Sequence, residues 1–237
     1  DDITKQTVFD KCELVIVNAD SPENEEVIVK EYTKKYNNIK YHRLDYRAST
    51  TEAVNMIIGE LSSGDYITVG NIDDRRSPYC LEMQLKHLMF ANENVGLVYG
   101  DCLQTNKANE TFENNTSNGS LYEHSKNNFS KENMIKCLPG PMPMWKKKLH
   151  DKFGYFSLDY RYANDWDMWL RFVNGGVKFK KIKEPLGLYY FNPDGNSTSK
   201  ENFNKKIKEE SEIFFNNKDI FGENNFNKYV NYFSQGL

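Results

Sequence analysis

At 237 residues the chain is long enough for one large α/β domain or two small ones, each able to bury a core. Its formal charge of -3 and pI near 5.9 carry no basic signature, which argues against nucleic acid as a partner. No apolar run approaches the roughly 18 residues that a membrane span requires, and the N-terminal Asp1–Lys11 stretch lacks the basic start and apolar centre of a signal peptide. Cys12, Cys80, Cys102 and Cys137 lie far apart and form no CxxC pair. That spacing favours reduced thiols in a cytoplasmic protein over a zinc site or a disulfide framework.

In chain order, Glu13–Val17 is an apolar run read as a buried strand, closed by the polar turn Asn18-Ala19-Asp20-Ser21. Ser21 with Pro22 behind it predicts the start of a helix whose Ile28, Tyr32 and Tyr36 form one stripe. Ile39–Leu44 alternates like a strand, and Ser49-Thr50-Thr51-Glu52 matches a capping box before a helix that buries Ala53, Met56, Ile57 and Leu61. Gly64 stops that helix, Tyr66–Val69 reads as a strand, and Asn71-Ile72-Asp73-Asp74 follows as an acidic turn. Ser77 and Pro78 then predict a helix to about Ala91 with Leu81, Leu85 and Leu88 inward, and Val95–Tyr99 a strand. Strands alternating with helices in this way imply an α/β fold with a mostly parallel sheet flanked by helices.

Residues 104–130 are dominated by Asn, Thr, Ser, Glu and Lys and read as a long polar loop. A short helix near Ser130–Cys137 and a proline-rich extended segment to Trp145 come next, followed by a basic helical turn to His150. Asn164 is placed as the N-cap of a helix that ends at Gly175-Gly176, with Asp165 in its first turn and Asp167 and Arg171 paired at i, i+4. Val177–Ile182 and Leu186–Tyr190 read as two more strands, and the segment from Lys200 as an amphipathic C-terminal helix.

Three polar clusters therefore fall at strand ends or helix starts: Asn18–Ser21, Asn71–Asp74 and Asn164–Asp167. Carboxylates delivered to the C-terminal end of a strand sit where open α/β sheets bind ligands, and their hard oxygens suit Mg²⁺ or Mn²⁺ and, through the metal, a diphosphate. An Asp at a helix N-terminus is held ionised and suits a proton acceptor. Each cluster alone also fits an ordinary solvated turn or a helix-dipole carboxylate.

Their order brings a family into view. The chain resembles the family 2 glycosyltransferases of GT-A fold over roughly Gln6 to Ser199. Glu13–Ile28 (ELVIVNADSPENEEVI) is similar to their second-strand segment, and Ala53–Asp74 (AVNMIIGELSSGDYITVGNIDD) to their stretch ending in D-x-D-D. Gly140–Phe156 (GPMPMWKKKLHDKFGYF) with Ala163–Phe172 (ANDWDMWLRF) is similar to the acceptor-side segment, in which an E-D pair opens a helix.

The resemblance implies a three-layer GT-A-like domain over 1–199, with a nucleotide-sugar half (1–103), the polar loop (104–130), an acceptor half (131–199) and a helical extension (200–237). It implies that Asp73 holds Mn²⁺ or Mg²⁺ and that Asp165 is the general base on an acceptor hydroxyl. Asn18, Asp20, Ser21, Asn71, Asp74 and Trp166 would contact the donor, with Trp145 and Trp169 as further faces for a sugar ring. The implied reaction is inverting transfer from a nucleotide-diphosphate sugar to a glycan or glycolipid, of the kind used in bacterial surface polysaccharide synthesis. It is compatible with peripheral membrane association.

Departures from the family pattern are specific. The family's first strand, with its base-holding turn, has no counterpart before Asp2–Lys11, as if the chain were part of a longer one. Asn71 and Asn164 stand at acid positions, and Tyr190-Phe191-Asn192-Pro193 stands where many relatives carry a His. These departures keep open a second reading, a non-catalytic GT-A-like module that binds a nucleotide sugar or glycan within a larger protein.

Overall fold

The computed structural model describes residues 2–237. In chain order the elements are β1 (Leu14–Asn18), α1 (Glu25–Lys35), β2 (Ile39–Arg43), α2 (Thr50–Met56), β3 (Tyr66–Thr68) and β4 (Arg75–Arg76). They continue with α3 (Cys80–Met89), β5 (Val95–Thr105), β6 (Met144–Lys146), α4 (Leu149–Phe153), α5 (Asn164–Asn174) and β7 (Lys178–Tyr190). Three helices close the chain: α6 (Phe203–Asn216), α7 (Lys218–Phe221) and α8 (Glu223–Phe233). Among the described residues no helix is long and apolar enough to cross a membrane.

The strands form a parallel β1-β2 pair and a five-stranded sheet in the order β3-β6-β5-β7-β4. The long ladders are parallel, β1 with β2 and β5 with β7, while β6 joins β3 and β5, and β4 joins β7, through short antiparallel pairings. Alternation along β5 sends Leu97 and Tyr99 to one face and Val98 to the other. The first face packs on Trp145, Trp169, Phe172, Phe179 and the C-terminal Phe214 and Phe221. The second packs on Leu81, Leu88, Met144, Ile182 and Leu186.

Several elements differ from the sequence expectations for identifiable reasons. The turn after β1 runs on to Asn24, so α1 begins at Glu25 and Ser21 Oγ instead accepts from Glu23 N (3.2 Å) inside the turn. The predicted α1 stripe is not a core stripe, since Ile28 is 59% exposed. The capping box of α2 forms, Glu52 N donating to Ser49 Oγ and Ser49 N to Glu52 Oε2. The helix then passes into a π turn, Ile57–Leu61, whose wider spacing rotates the inward face so that Ile58 rather than Ile57 is fully buried. Ser77 does not cap α3, which starts at Cys80. The N-terminal Gln6 does so from a distance, accepting from Leu81 N (3.0 Å) and donating to Ser77 O (2.7 Å). The two strands expected over 177–190 are one strand, β7, with register shifts opposite Gly100–Cys102.

The C-terminal helices pack back on the domain: Trp166 of α5 stacks against Phe221 and Phe233, and Phe214 against Phe221, Phe226 and Phe233. From α6, Glu209 reaches the segment that enters α5, its carboxylate accepting from the backbone N–H of Arg161 (2.9 Å), Tyr162 (2.7 Å) and Ala163 (3.1 Å). Hydrogen bonds to an ionised acceptor are worth roughly 1.5–3 kcal/mol each before side-chain ordering is subtracted, so this is a substantial anchor.

The β1-β2 pair is attached differently. Among the described residues β1 pairs with β2 alone and β3 with β6 alone, which leaves one edge of each strand without a ladder partner. Four successive apolar residues, Leu14–Val17, are accordingly only half-buried. What joins the two sheets at this end is Glu13. Its carboxylate accepts from Ser63 N, from Gly64 N (2.8 Å) and from Ser63 Oγ (3.1 Å), and pairs with Lys40 (2.5 Å). Burial works against the charge, but Lys40 and the Ser63 and Gly64 donors outweigh it and hold Glu13 at about 2.

A depressed carboxylate stabilises the fold above its unfolded value and stops doing so as pH falls through the folded one. Discounted for partial exposure, the Glu13 bridge is worth about 1–2 kcal/mol. Glu13→Gln should therefore lower stability by that amount at pH 7 and flatten the wild-type loss of stability between pH about 4.5 and about 2, as read by urea unfolding across that window. Equal slopes in the two proteins would remove Glu13 from this role.

Candidate functional site

The acidic turn hangs between β3 and β4. Buried Arg76 fixes its base, donating to Thr68 Oγ1 (3.0 Å) and Val69 O (2.6 Å). The two carboxylates then part company. Asp74 points inward and is buried, its oxygens accepting from Asn71 Nδ2 (2.8 Å) and from Tyr190 N (3.1 Å) at the end of β7. Asp73 and the 98% exposed Ile72 face solvent. Burial pushes Asp74 up to about 6, with the neighbouring Asp73 adding to the rise and Asn71, Tyr190 N and Arg76 opposing it. Asn71, standing where a carboxylate would crowd Asp74, supplies a donor instead.

Beside this turn the parallel β5 and β7 strands end together, with Gln104 opposite Tyr189 and Thr105 opposite Tyr190. The polar stretch after β5 does not leave the domain. It folds back so that Tyr122 N donates to Cys102 O (2.7 Å), and Leu103 and Leu121 form a bridge. Tyr99 Oη donates to Asn127 O (2.7 Å), and Lys181 pairs with Asp101 (2.7 Å) while donating to Lys126 O (2.5 Å). This brings the Tyr122 ring against Tyr189 (centroids 4.5 Å apart) and His124 (5.0 Å), and His124 donates to the Cys137 carbonyl. Burial pushes His124 down to about 4, so the imidazole is neutral.

The same aromatic group reaches the first turn of α5. Cys137 Sγ donates to Asp165 Oδ2 (3.2 Å), and Trp166 N to Asp165 Oδ1 (2.8 Å). At Asp165 burial outweighs the Cys137 and Trp166 hydrogen bonds and the nearby Lys206, and raises the carboxyl above the usual aspartate range. Asp165 lies near Tyr122, and Tyr189 near Asp73 and Asp74, so one wall of side chains runs from the acidic turn to the start of α5.

Other predicted residues are placed differently. Asn18 is buried and shapes its own turn, Oδ1 accepting from Ser21 N (2.8 Å) and Nδ2 donating to Glu25 (3.3 Å). Asp20 is exposed, adopts φ 57° and pairs with Arg43 (3.3 Å). No described contact joins this turn to the acidic one. Asn164 is the first helical residue, not the N-cap, and Nδ2 donates to Thr51 Oγ1 (2.7 Å). Trp166 is corrected outright: its ring is buried among phenylalanines and its Nε1 donates to Met134 O (2.7 Å), so it offers no face to a ligand. Trp145 and Trp169 are likewise core.

The aromatic wall was missed at the sequence level. Its signals were Leu121-Tyr122-Glu123-His124, an aromatic interruption in a polar stretch, and the consecutive Tyr189-Tyr190 at a strand end. Glu209 left no local signal, because its partners are backbone amides nearly fifty residues away.

The model for glycosyl transferase family 2 matches residues 1–154, and the chain belongs to that family. The fold is that of GT-A glycosyltransferases. Staphylococcus aureus TarS (residues 1–349), solved with UDP-GlcNAc, superposes with a TM-score of 0.69 at 14% identity, covering 91% of this chain and 61% of TarS. The mannosyltransferase PcManGT of Pyrobaculum calidifontis, solved with GDP-Man and Mn²⁺, gives 0.65 at 15% identity, covering 94% and 59%. The chain thus spans about three-fifths of the length of these structures. No curated sequence matches it.

Because Asn71 is one of the donors restraining Asp74, Asn71→Ala should move the Asp74 titration above its wild-type midpoint of about 6. Carboxyl-resolved NMR titration reads this directly, and an ordinary Asp midpoint in both proteins would contradict the burial described.

Proposed function

We propose that this chain is the transferase domain of an inverting enzyme that moves a sugar from a nucleoside-diphosphate donor to a glycan or glycolipid hydroxyl. The observation that carries the proposal is the Tyr122–Tyr189 ring contact set between the two acids, with the outward Asp73 near Tyr189 and Asp165, whose acidity burial has weakened, near Tyr122. The raised Asp165 is a better proton acceptor than a solvated aspartate. In this scheme Asp165 Oδ2, whose partner is the weakly donating Cys137 thiol, takes the proton of the acceptor hydroxyl as that oxygen attacks the anomeric carbon. The nucleoside diphosphate leaves on the opposite side, toward the acidic turn.

Among the described residues no cluster of three or more His, Cys, Asp or Glu converges, so the protein offers a divalent cation one outward carboxylate, Asp73. That donor set fits Mg²⁺ or Mn²⁺ completed by diphosphate oxygens and water, and the metal when bound neutralises charge on the departing diphosphate. Asn71 and Asp74 keep the turn in shape for it. Asp20 and Ser21 are assigned to the donor's nucleoside, with Asn18 shaping their turn. The unpaired thiols of the four cysteines suit a reducing compartment, in keeping with work in the cytoplasm.

Titration with a panel of nucleotide sugars, with and without Mn²⁺, tests the donor side. Binding should depend on metal and weaken at least tenfold in Asp73→Ala. Asp165→Asn should lower turnover by about 10²–10⁴-fold while leaving donor affinity near wild type. Normal transfer by Asp165→Asn would overturn the assignment of the base. Metal-independent glycan binding without transfer would instead favour the non-catalytic module, to which the presence of Asn71 in place of an acid gives support.

A further inference from the structure

We infer that Glu209, in the C-terminal helix α6, is a positioning residue that fixes where α5 begins and hence where Asp165 presents its carboxylate. The inference rests on the assignment of Asp165 as the base and goes beyond it by assigning part of the site to the C-terminal helix α6.

The geometry is that of an anion seated in a nest of backbone donors. Arg161, Tyr162 and Ala163 are consecutive, and all three N–H groups point at one carboxylate. Asp165 follows two residues later, in the first turn of a helix that has no side-chain cap of its own at Ala163. Its rotamer is held by the N–H of Trp166 and the thiol of Cys137, so the position of the carboxylate follows that of the helix start. Several groups secure that start in space: Asn164 reaches Thr51, Tyr162 Oη donates to Asn202 Oδ1 (3.1 Å), and Ala163 is buried. Glu209 alone takes three successive backbone N–H groups of the entering segment. In the preceding segment Leu158, Asp159 and Arg161 are exposed, while Tyr160 packs against the core at its side chain and leaves the backbone N–H groups of residues 161–163 to Glu209. Glu209 sits on a helix turn whose neighbours are committed to the core, Ile207 and Ser211 being buried, so its reach is fixed by packing remote from the site.

Catalysis by a positioned base is sensitive to displacement, about 10²-fold for 1 Å. Glu209→Gln keeps the shape but offers one acceptor oxygen and turns an NH₂ group toward backbone donors. Its turnover should fall about 10- to 100-fold with nucleotide-sugar affinity within twofold of wild type, and the amide resonances of Arg161–Ala163 should shift upfield. Glu209→Asp, which keeps the charge, should recover part of the turnover and provides the test if the Gln variant fails to fold. Glu212→Gln, on the same helix but hydrogen-bonded to the side chain of Tyr160 (Oη, 3.1 Å) and not to the backbone of residues 161–163, should behave as wild type.

Wild-type turnover and unmoved amides in Glu209→Gln would overturn the inference, as would a loss of donor affinity matching the loss of turnover. The parent assignment fails separately. If Asp165→Asn transfers sugar normally, the base is wrong, whereas an inactive Asp165→Asn beside a fully active Glu209→Gln removes only the positioning role.

Discussion

The parallel ladder between β5 and β7 is the constraint from which the rest of the site hangs. It runs from Val95 opposite Lys178 to Thr105 opposite Tyr190, and both strands end at the same level. One end of that beam supplies the Tyr190 amide that turns Asp74 inward, the Tyr189 ring, and the Cys102 carbonyl to which the returning loop attaches. Because β4 and β6 join the same beam through two- and three-residue strands, the acidic turn is placed by its neighbours far more than by its own pairing. A short loop-like strand tethered to a long one gives a solvent-facing turn a definite position without stiffening its sequence.

Three aspartates in this site start from the same side chain and end in different surroundings. Asp74 is buried and restrained by two donors, and it rises to about 6. Asp165 is raised at a helix start, and Asp73 is left in solvent. At Asp165 the contest is instructive, since the helix N-terminus and two hydrogen bonds all favour the ionised form and burial still prevails. The fold thus separates an outward carboxylate from an inward one within a single turn, and raises a third at a helix start elsewhere.

How much of this was legible depended on the range of each interaction. The strand at Leu14–Asn18, the Ser49–Glu52 capping box and the Asp167–Arg171 pair are local, and the sequence carries them in its spacing. The acidic turn was legible as a strand end, and the family match agrees with the resemblance drawn from it. What could not be read was nonlocal. Gln6 caps α3 across more than seventy residues, the stretch after β5 returns as a wall instead of wandering, and Trp166 faces the C-terminal phenylalanines. Tryptophan near an acidic motif suggests a sugar platform, but an indole on the inner stripe of an amphipathic helix is claimed by the core first. The π turn after α2 is a subtler case: one residue of extra spacing was enough to exchange Ile57 for Ile58 on the inner face.

The half-covered β1 strand has a consequence for how the molecule comes apart. β1, α1 and β2 form a parallel unit with no buried residue in its helix; the Glu13 contacts tie it toward β3, and Asn38 ties it to the N-terminal segment by donating to Phe9 O and Cys12 O. The Trp145–Trp169–Phe214 core belongs wholly to the other part. A unit with so little apolar burial of its own has little reason to melt together with the rest. Heating should therefore release the β1–α1–β2 unit in a separate, earlier step, so that the polar turn after β1 is lost while the acidic turn and Asp165 still hold their places.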